Sequence, residues 1–383
     1  MRPDHIATFS PTVHASTVAA MRGRRELIHD KGRAVFEETG KLDPLVDING
    51  QIRKSRFVWT PNGDGTFTLK DGYKRPYIIA TDGTGSFGEN VGRAFDAASI
   101  IYAMLAGNCA GNHQMDFSFC VFQDRDDRHP VIQFPQFEGD NRWADHMRLL
   151  IPDKNGGDPA EDYDLGLWYA ANRVYADLFR YGGKGIFVLL LDAPGRGIVE
   201  SNLVRTHLGA ELQNDIQTAT VWKQLQTKFL SYVVVFGSRE FTNWWLQIAG
   251  QGSVIIAPSS ALFAEVQSGL VYATDTIRPT EAGLYDFLRA GGANTGISRT
   301  DAARIWEAYV AAEIPFGANA KLGIELPKPG DVFASMTDMW PIGHPRAGEN
   351  ASAPPSDMGE EFSIIPARAA TSPARTSIDW SRF

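Results

Sequence analysis

Cysteine, basic runs and long apolar segments are all scarce in this chain of 383 residues. The two cysteines, Cys109 and Cys120, are too few for a disulfide framework, which favours a reducing compartment. No long basic run is present, and the net charge of −8 disfavours a general nucleic-acid binder. No apolar run is long enough to span a bilayer, and the N-terminus lacks the apolar core of a signal peptide. We therefore expect a soluble, cytoplasmic protein that binds neither nucleic acid nor membrane.

Two common signatures of enzymes are also missing from the sequence. It contains no phosphate-binding segment of the form GxxxxGK[ST]. Its histidines show neither HxxxH nor HExxH spacing, so we expect them to be surface groups or groups satisfied within the core. No nucleophile and base stand together in the sequence, which disfavours covalent catalysis.

From about residue 75 onward, the sequence predicts apolar strands that alternate with helices. The predicted strands are 77–81, 117–122, 131–134, 185–191, 232–236 and 254–257. The predicted helices are 91–106, 143–150, 162–180, 210–229, 241–249 and 261–267. Fully apolar strands alternating with helices predict an α/β fold, with a Rossmann-like, open and mostly parallel sheet covered by helices on both faces. The short pair within 117–134 is expected to form an antiparallel edge.

The sequence divides into four expected segments. Residues 1–74 form an accessory segment with a helix over 16–41 and a β-hairpin over 57–69, whose turn is rich in glycine. Residues 75–278 form the α/β domain, and 279–326 form a helical appendix with helices at 281–290 and 299–313. Residues 327–383, rich in Pro, Ser and Ala, are expected to be a disordered tail.

Oxygen-bearing side chains follow two of the predicted strands. Asp82, Thr84 and Ser86 occupy alternate positions directly after strand 77–81, and Asp192 directly follows strand 185–191. In an open α/β sheet, ligands bind beyond the carboxyl ends of the strands. Hard divalent cations such as Mg²⁺ prefer oxygen ligands and keep several of their waters. The spacing therefore predicts a divalent-cation site at this edge of the sheet.

A third loop, Gly156-Gly157-Asp158-Pro159-Ala160-Glu161, precedes the predicted helix over 162–180. Its glycines allow close backbone approach. Asp158 is either a helix N-cap ahead of Pro159 or a metal ligand, and Glu161 is an equal candidate for a water-mediated contact with the ion. Both interpretations remain open at this point.

The three loops together resemble the metal-ion-dependent adhesion site of von Willebrand factor type A (vWA) domains. The first loop is similar to the DxTxS element, and Leu190-Leu191-Asp192 is similar to the strand end that supplies a further Asp. The third loop resembles the GGDxPE variant of many intracellular members, with the proline one position earlier, and it stands where a Thr-containing loop is found in other members. The turn Gln123-Asp124-Arg125-Asp126-Asp127 resembles the YRD turn of that group, although we expect its three aspartates to be solvent-exposed.

This resemblance covers roughly residues 75–275 and implies both a ligand set and a function. The implied ligands of Mg²⁺, or of Ca²⁺ or Mn²⁺, are Asp82, Thr84, Ser86, Asp158 and Asp192. The implied function is a metal-dependent protein-interaction module, a scaffold or adaptor without enzymatic activity. The resemblance suggests a MoxR-type AAA+ ATPase as its partner.

Two other functions stay open. One is a Mg²⁺-dependent enzyme of phosphoryl transfer or nucleotide hydrolysis, because the DGTGS turn also resembles the phosphate loop of actin-like and sugar-kinase ATPases. The second Gly-rich loop and the duplicated domain of those enzymes are not found in the sequence. The other is a structural or assembly protein whose tail recruits the partner.

Overall fold

The computed structural model describes the chain from residue 30 to residue 333, with gaps. The described residues are 30–70, 73–108, 113–139, 142–153, 160–236, 238–290, 296–322, 324, 326, 328 and 330–333. Four of the sequence predictions therefore concern residues outside this part of the chain: the helix start over 16–29, Cys109, Asp158 and the tail from 334 onward.

Six strands form one sheet, and further short strands form smaller sheets around it. In chain order the strands are β1 (Arg53–Ser55), β2 (Trp59–Pro61), β3 (Phe67–Leu69), β4 (Tyr73–Asp82), β5 (His113–Phe122), β6 (Ile132–Gln133), β7 (Val174–Ala176), β8 (Gly185–Leu191), β9 (Ile198–Val199), β10 (Ile216–Gln217), β11 (Phe229–Val235), β12 (Val254–Ile256) and β13 (Val332–Phe333). The order in the main sheet is β12-β11-β8-β4-β5-β6. Every neighbouring pair is parallel except β5 with β6, which is antiparallel. The predicted mostly parallel sheet with an antiparallel edge is confirmed.

Helices cover both faces of this sheet. They are α1 (Asp30–Thr39), α2 (Glu89–Asn108), α3 (Arg142–Met147), α4 (Tyr163–Arg173), α5 (Asp177–Arg180), α6 (Ser201–Leu208), α7 (Thr218–Lys228), α8 (Arg239–Ala249), α9 (Phe263–Asp275), α10 (Glu281–Ala290) and α11 (Arg299–Ala311). Short 3₁₀ turns lie at Ser260–Leu262 and Ala320–Leu322. No helix in the described part of the chain is both long enough and apolar enough to cross a membrane.

Successive residues of the central strands enter two different cores, because side chains alternate across a strand. In β4, Tyr77 and Ile79 pack with α2 and α9, whereas Ile78 and Ala80 pack with α4, α7 and α8. A strand buried on both faces must be apolar throughout, which explains the continuous run in β8. Leu284 of α10 also lies in the first core. The two helices predicted as an appendix thus share a core with the sheet, and the division into four segments stays a prediction.

Two predicted helices differ from the structure. The helix expected over 162–180 ends at Arg173, and the next three residues form β7, which pairs in parallel with β1. The helix expected over 210–229 begins only at Thr218, after β10 has paired with β9. In both places pairing with a distant strand overrides the local helical pattern. The sequence prediction also missed α6. This helix ends at Leu208 and is followed by Gly209 in the left-handed conformation.

The hairpin predicted over 57–69 is present as the antiparallel pair β2–β3, with Gly65 in the turn at φ 86°. At the start of the same stretch, Phe57 stacks on Tyr181, which precedes β8, and Leu69 belongs to the same small core. A third strand, β13, pairs with β3, although its residues fall in the stretch predicted as a disordered tail. From residue 334 onward the predicted tail lies outside the described residues.

Candidate metal centre

The candidate metal centre lies where β4 and β8 end side by side. These strands pair in parallel, with Thr81 opposite Leu190. Each strand therefore delivers its next acidic residue, Asp82 or Asp192, to the carboxyl edge of the sheet. The proximity expected from the sequence thus follows directly from the strand pairing.

A continuous chain of short contacts links the four predicted ligands that the structure describes. Asp82 Oδ1 accepts hydrogen bonds from the Thr84 amide and the Thr84 hydroxyl, each at 2.7 Å. The hydroxyl oxygens of Thr84 and Ser86 are 3.1 Å apart, and the Ser86 hydroxyl donates to Asp192 Oδ1 at 3.1 Å. Two carboxylates and two hydroxyls are therefore brought together, whereas Asp158, the fifth predicted ligand, lies outside the described residues.

These four side chains differ in their access to solvent. Asp82 and Thr84 are fully buried, Asp192 is half-buried and Ser86 is exposed. The centre thus has a closed inner end at Asp82 and an open outer end at Ser86. A bound ion would be held from below by the buried pair and be approachable from the Ser86 side.

Gly83 holds the first loop against the neighbouring strand β5. Its amide donates to the carbonyl of Phe122 at 2.8 Å, which continues the strand pairing by one residue. A Cβ at this position would lie only 2.4 Å from Cγ1 of Val121. Only glycine allows this close approach, and the approach fixes the position of the following residue, Thr84.

Tyr163, the first residue of α4, is a member of the centre that the sequence did not reveal. Its buried hydroxyl donates to Asp82 Oδ2, the carboxylate oxygen that Thr84 leaves free. Its ring packs against Trp245, whose indole N–H donates to the carbonyl of Ala193 at 2.9 Å. These contacts tie α4, α8 and the loop after Asp192 together. A tyrosine at a helix start carries no local signal of such a role.

Glu161 also lies at the centre. Its amide donates to the carbonyl of Pro194 at 3.0 Å, which fixes it beside the loop that follows Asp192. Its side chain is 2 % exposed. Thr84 forms a hydrogen bond with it, and the negative charge of Asp82 raises its pKa. Its Oε2 has no hydrogen-bond partner in the described structure. The sequence made Glu161 a candidate for a water-mediated contact with an ion, and the structure brings it beside Thr84.

Burial raises the pKa values of all three carboxyl groups. The pKa of Asp82 rises to about 7, with the neighbouring Asp192 adding to the effect, and the pKa of Asp192 is raised as well. The pKa of Glu161 rises to about 9, through burial and then through the charge of Asp82. Among the described residues, no Lys or Arg forms an ion pair with any of the three. Negative charge here needs a proton or a cation to balance it.

The donor set fits a hard divalent cation. It consists only of carboxylate and hydroxyl oxygens, and the unpartnered Oε2 of Glu161 is a buried acceptor that an ion with its waters would satisfy. Across the described residues, no three His, Cys, Asp or Glu side chains converge closely enough to hold an ion. The ion would thus rest on two carboxylates and two hydroxyls, with water completing its shell, as suits Mg²⁺.

A second acidic cluster lies beside the centre, and we call it the arginine network: Arg125, Arg196, Asp124, Asp162 and Glu200. Arg125 contacts Asp162 at 2.5 Å and Glu200 at 2.9 Å. Arg196 contacts Asp124 at 2.6 Å and Asp162 at 3.0 Å. The network joins the turn after β5, the start of α4 and the loop before β9. The expectation that Asp124 is solvent-exposed is wrong, since the side chain is buried against Arg196.

Comparisons with known proteins give structural similarity alone. No family model and no curated protein matches the chain. Similar solved structures include the pilus adhesin SpaC from Lactobacillus rhamnosus GG, at 11 % identity and a TM-score of 0.36 over 62 % of this chain and 34 % of that chain. They also include a von Willebrand factor type A protein from Catenulispora acidiphila, at 15 % identity and a TM-score of 0.31 over 54 % of this chain and 44 % of that chain. This chain spans less than half the length of each of these two proteins. At such TM-scores the matches carry no functional argument.

Proposed function

We propose that the chain is a metal-dependent protein-interaction module of the vWA type. One observation carries the proposal: the unbroken series of contacts from Asp82 through Thr84 and Ser86 to Asp192. These residues come from two loops far apart in the sequence, and they meet at the sheet edge where α/β folds bind ligands. Mg²⁺ is the proposed ion, with Ca²⁺ or Mn²⁺ as substitutes.

In this proposal the two ends of the centre have different tasks. The buried Asp82 carboxylate and Thr84 hydroxyl hold the ion, and the more accessible Ser86 and Asp192 leave one side of it open to a partner protein. The bound cation supplies positive charge and coordination positions that a partner's oxygen atom can fill. Asp158 is proposed as a further ligand of the ion, and a MoxR-type ATPase is proposed as the partner.

The arginine network supports an interaction role because it makes the loops around the centre rigid. Asp124 and Asp162 belong to different loops, and Arg196 joins them from a third. A partner that docks on pre-ordered loops loses less conformational entropy than one that must order them. The tyrosine hydroxyl at the centre is already engaged with Asp82, so it contributes hydrogen bonding to the ligand oxygen.

Titration calorimetry of the full chain with Mg²⁺ tests the proposal. We expect wild type to bind the ion, and we expect Asp82→Ala and Asp192→Ala to weaken binding by roughly 100-fold or more, because each removes a charged ligand. Asp158→Asn tests the proposed further ligand. Glu240→Ala is the control, because it removes a carboxylate from an exposed position in the first turn of α8 and leaves the centre intact.

Partner capture with and without a chelator is the second measurement. We expect a purified MoxR-type ATPase to be retained by immobilised wild type with Mg²⁺, and to be lost with EDTA or with Asp82→Ala. Equal Mg²⁺ binding by wild type and Asp82→Ala contradicts the proposal. Mg²⁺-dependent nucleotide hydrolysis that is abolished by Asp82→Ala would replace it with the enzymatic alternative.

A further inference from the structure

Glu161 contributes a third carboxylate to the candidate metal centre, with one oxygen that no described residue contacts by a hydrogen bond. The side chain is 2 % exposed, and Oε2 has no hydrogen-bond partner among the described residues. A buried acceptor without a partner is costly, so folded proteins almost always satisfy such a group. A donor other than the described side chains therefore belongs at this oxygen.

The backbone fixes Glu161 in this position from two directions. On one side its amide binds the carbonyl of Pro194, and the residue forms an isolated bridge with Gly195 in the loop after Asp192. On the other side the next residue, Asp162, is held by both arginines of the arginine network. The carboxylate thus stays beside Thr84 and Asp82 through packing and pairing, and it does not depend on a flexible loop.

Direct coordination is not what the arrangement favours. In the described part of the chain, no three His, Cys, Asp or Glu side chains lie close enough together to hold one ion, and the contacts that join Asp82 to Asp192 run through Thr84 and Ser86 without Glu161. Mg²⁺ keeps several waters when it binds to proteins, and the hydrogens of those waters need acceptors. Residues that accept from them belong to the outer shell, which orients the ligands and tunes affinity.

We propose that Glu161 accepts a hydrogen bond from a water molecule bound to the ion of this centre, and that its charge selects a neutral oxygen donor as the partner's contact group. The inference rests on the proposed function. Once a bound ion has displaced their protons, Asp82, Asp192 and Glu161 bring three negative charges to two positive ones. A partner's carboxylate would meet excess negative charge at the open position, whereas a hydroxyl or amide oxygen would not.

Mn²⁺ binding to the full chain tests the first half of the proposal. Glu161→Gln keeps the size of the side chain and removes its charge, and we expect it to weaken Mn²⁺ binding about 10- to 100-fold. Glu161→Asp keeps the charge and shortens the reach, so we expect an intermediate loss. Glu240→Gln removes the same charge from an exposed position and should bind Mn²⁺ as wild type does. A cooperative thermal transition for each variant verifies that it is folded.

Acetate, a free carboxylate, tests the second half. With Mn²⁺ bound, water-proton relaxation reports the waters on the ion. We expect acetate to displace none of them from wild type, and to displace at least one from Glu161→Gln, where the excess charge has gone.

The outcomes separate this inference from the proposed function. Wild-type Mn²⁺ affinity in Glu161→Gln, together with lost binding in Asp192→Ala, overturns the inference and leaves the metal module standing. Equal displacement of water by acetate from wild type and Glu161→Gln overturns the selection of a neutral partner group. Failure of wild type to bind Mn²⁺ overturns both proposals.

Discussion

Two acidic clusters lie side by side at the carboxyl edge of the sheet, and they differ in what balances their charge. In the arginine network, the buried Asp124 and Asp162 are each held by an arginine within 2.6 Å. In the candidate metal centre, Asp82 and Asp192 are engaged by hydroxyl and amide donors, and no described arginine or lysine pairs with them. Each cluster contains buried carboxyl groups, yet only one of them carries its own positive charge.

The difference separates carboxylates whose charge is balanced by the chain's own arginines from carboxyl groups that a proton or a cation must balance. The opposite edge of the sheet gives a third case, where the buried Arg75 contacts Asp275 through two bonds of 2.7 and 2.6 Å. Unpaired buried charge is expensive, so it persists where something outside the chain compensates for it. The three predictions below test this contrast, from the largest expected effect to the smallest.

The metal-free chain should lose stability as pH rises. Burial raises the pKa of Asp82 to about 7 in the folded state from the ordinary value of 3.8. Between these values the folded state keeps a proton that the unfolded state has lost, so the free energy of unfolding falls through this window, on the order of 4 kcal/mol. Asp82→Asn should show a flatter profile by urea denaturation, because its side chain does not ionise.

Saturating Mg²⁺ should remove most of this fall in wild type, because the cation replaces the proton as the balancing charge. It should leave Asp82→Asn almost unaffected. Profiles of wild type and variant that coincide across the window would contradict the contrast between the clusters.

Removal of an arginine from the arginine network should leave buried carboxylates without the positive charge that balances them. Arg196→Ala leaves Asp124 and Asp162 without one of their cations, and we expect a loss of about 3 kcal/mol in the free energy of unfolding. Arg205→Ala is the control, because Arg205 lies 3.8 Å from Glu211 on the exposed surface and should cost less than about 0.5 kcal/mol. Equal losses would mean that the network contributes no more than surface pairs do.

Tyr163→Phe should give the smallest effect and the most local one. It removes the hydroxyl that donates to Asp82 Oδ2, at an expected cost of about 1 kcal/mol in stability. Because that oxygen belongs to a proposed ligand, Mg²⁺ affinity should also change, by up to about tenfold. Tyr309→Phe is the matched control, since its buried hydroxyl donates to the carbonyl of Val266 in the first core. A change in Mg²⁺ affinity in both variants would point to a general loss of stability.

Much of this arrangement could be predicted because the signals are local. The continuous apolar run of β8 predicted residues 185–191, and the structure has the strand at Gly185–Leu191. Once strands 77–81 and 185–191 are taken as parallel, the meeting of Asp82 and Asp192 follows from the geometry of a sheet. Hydrophobicity and one topological rule were therefore enough to predict the strands of the main sheet and to bring the four predicted ligands close together.

The rest depends on contacts between residues that are distant in the sequence. Val174–Ala176 suit a helix as well as a strand, and only the pairing with Arg53–Ser55 decides between them. Arg125 lies in an acidic turn whose sequence predicts a solvent-exposed surface. Its partner Asp162 is distant in the sequence and comes close to it only in the folded chain. Tyr163 has no neighbour in the sequence that indicates its bond to Asp82.

Gly83 links the first loop to the strand beside it in a way that bears on sequence change. Because a methyl group at position 83 would meet Cγ1 of Val121, an alanine there should be tolerated only where residue 121 has become smaller. Val121→Ala is therefore the expected second-site suppressor of Gly83→Ala. Related sequences would then vary at these two positions together, so that the Asp82–Ser86 loop and β5 change as a pair.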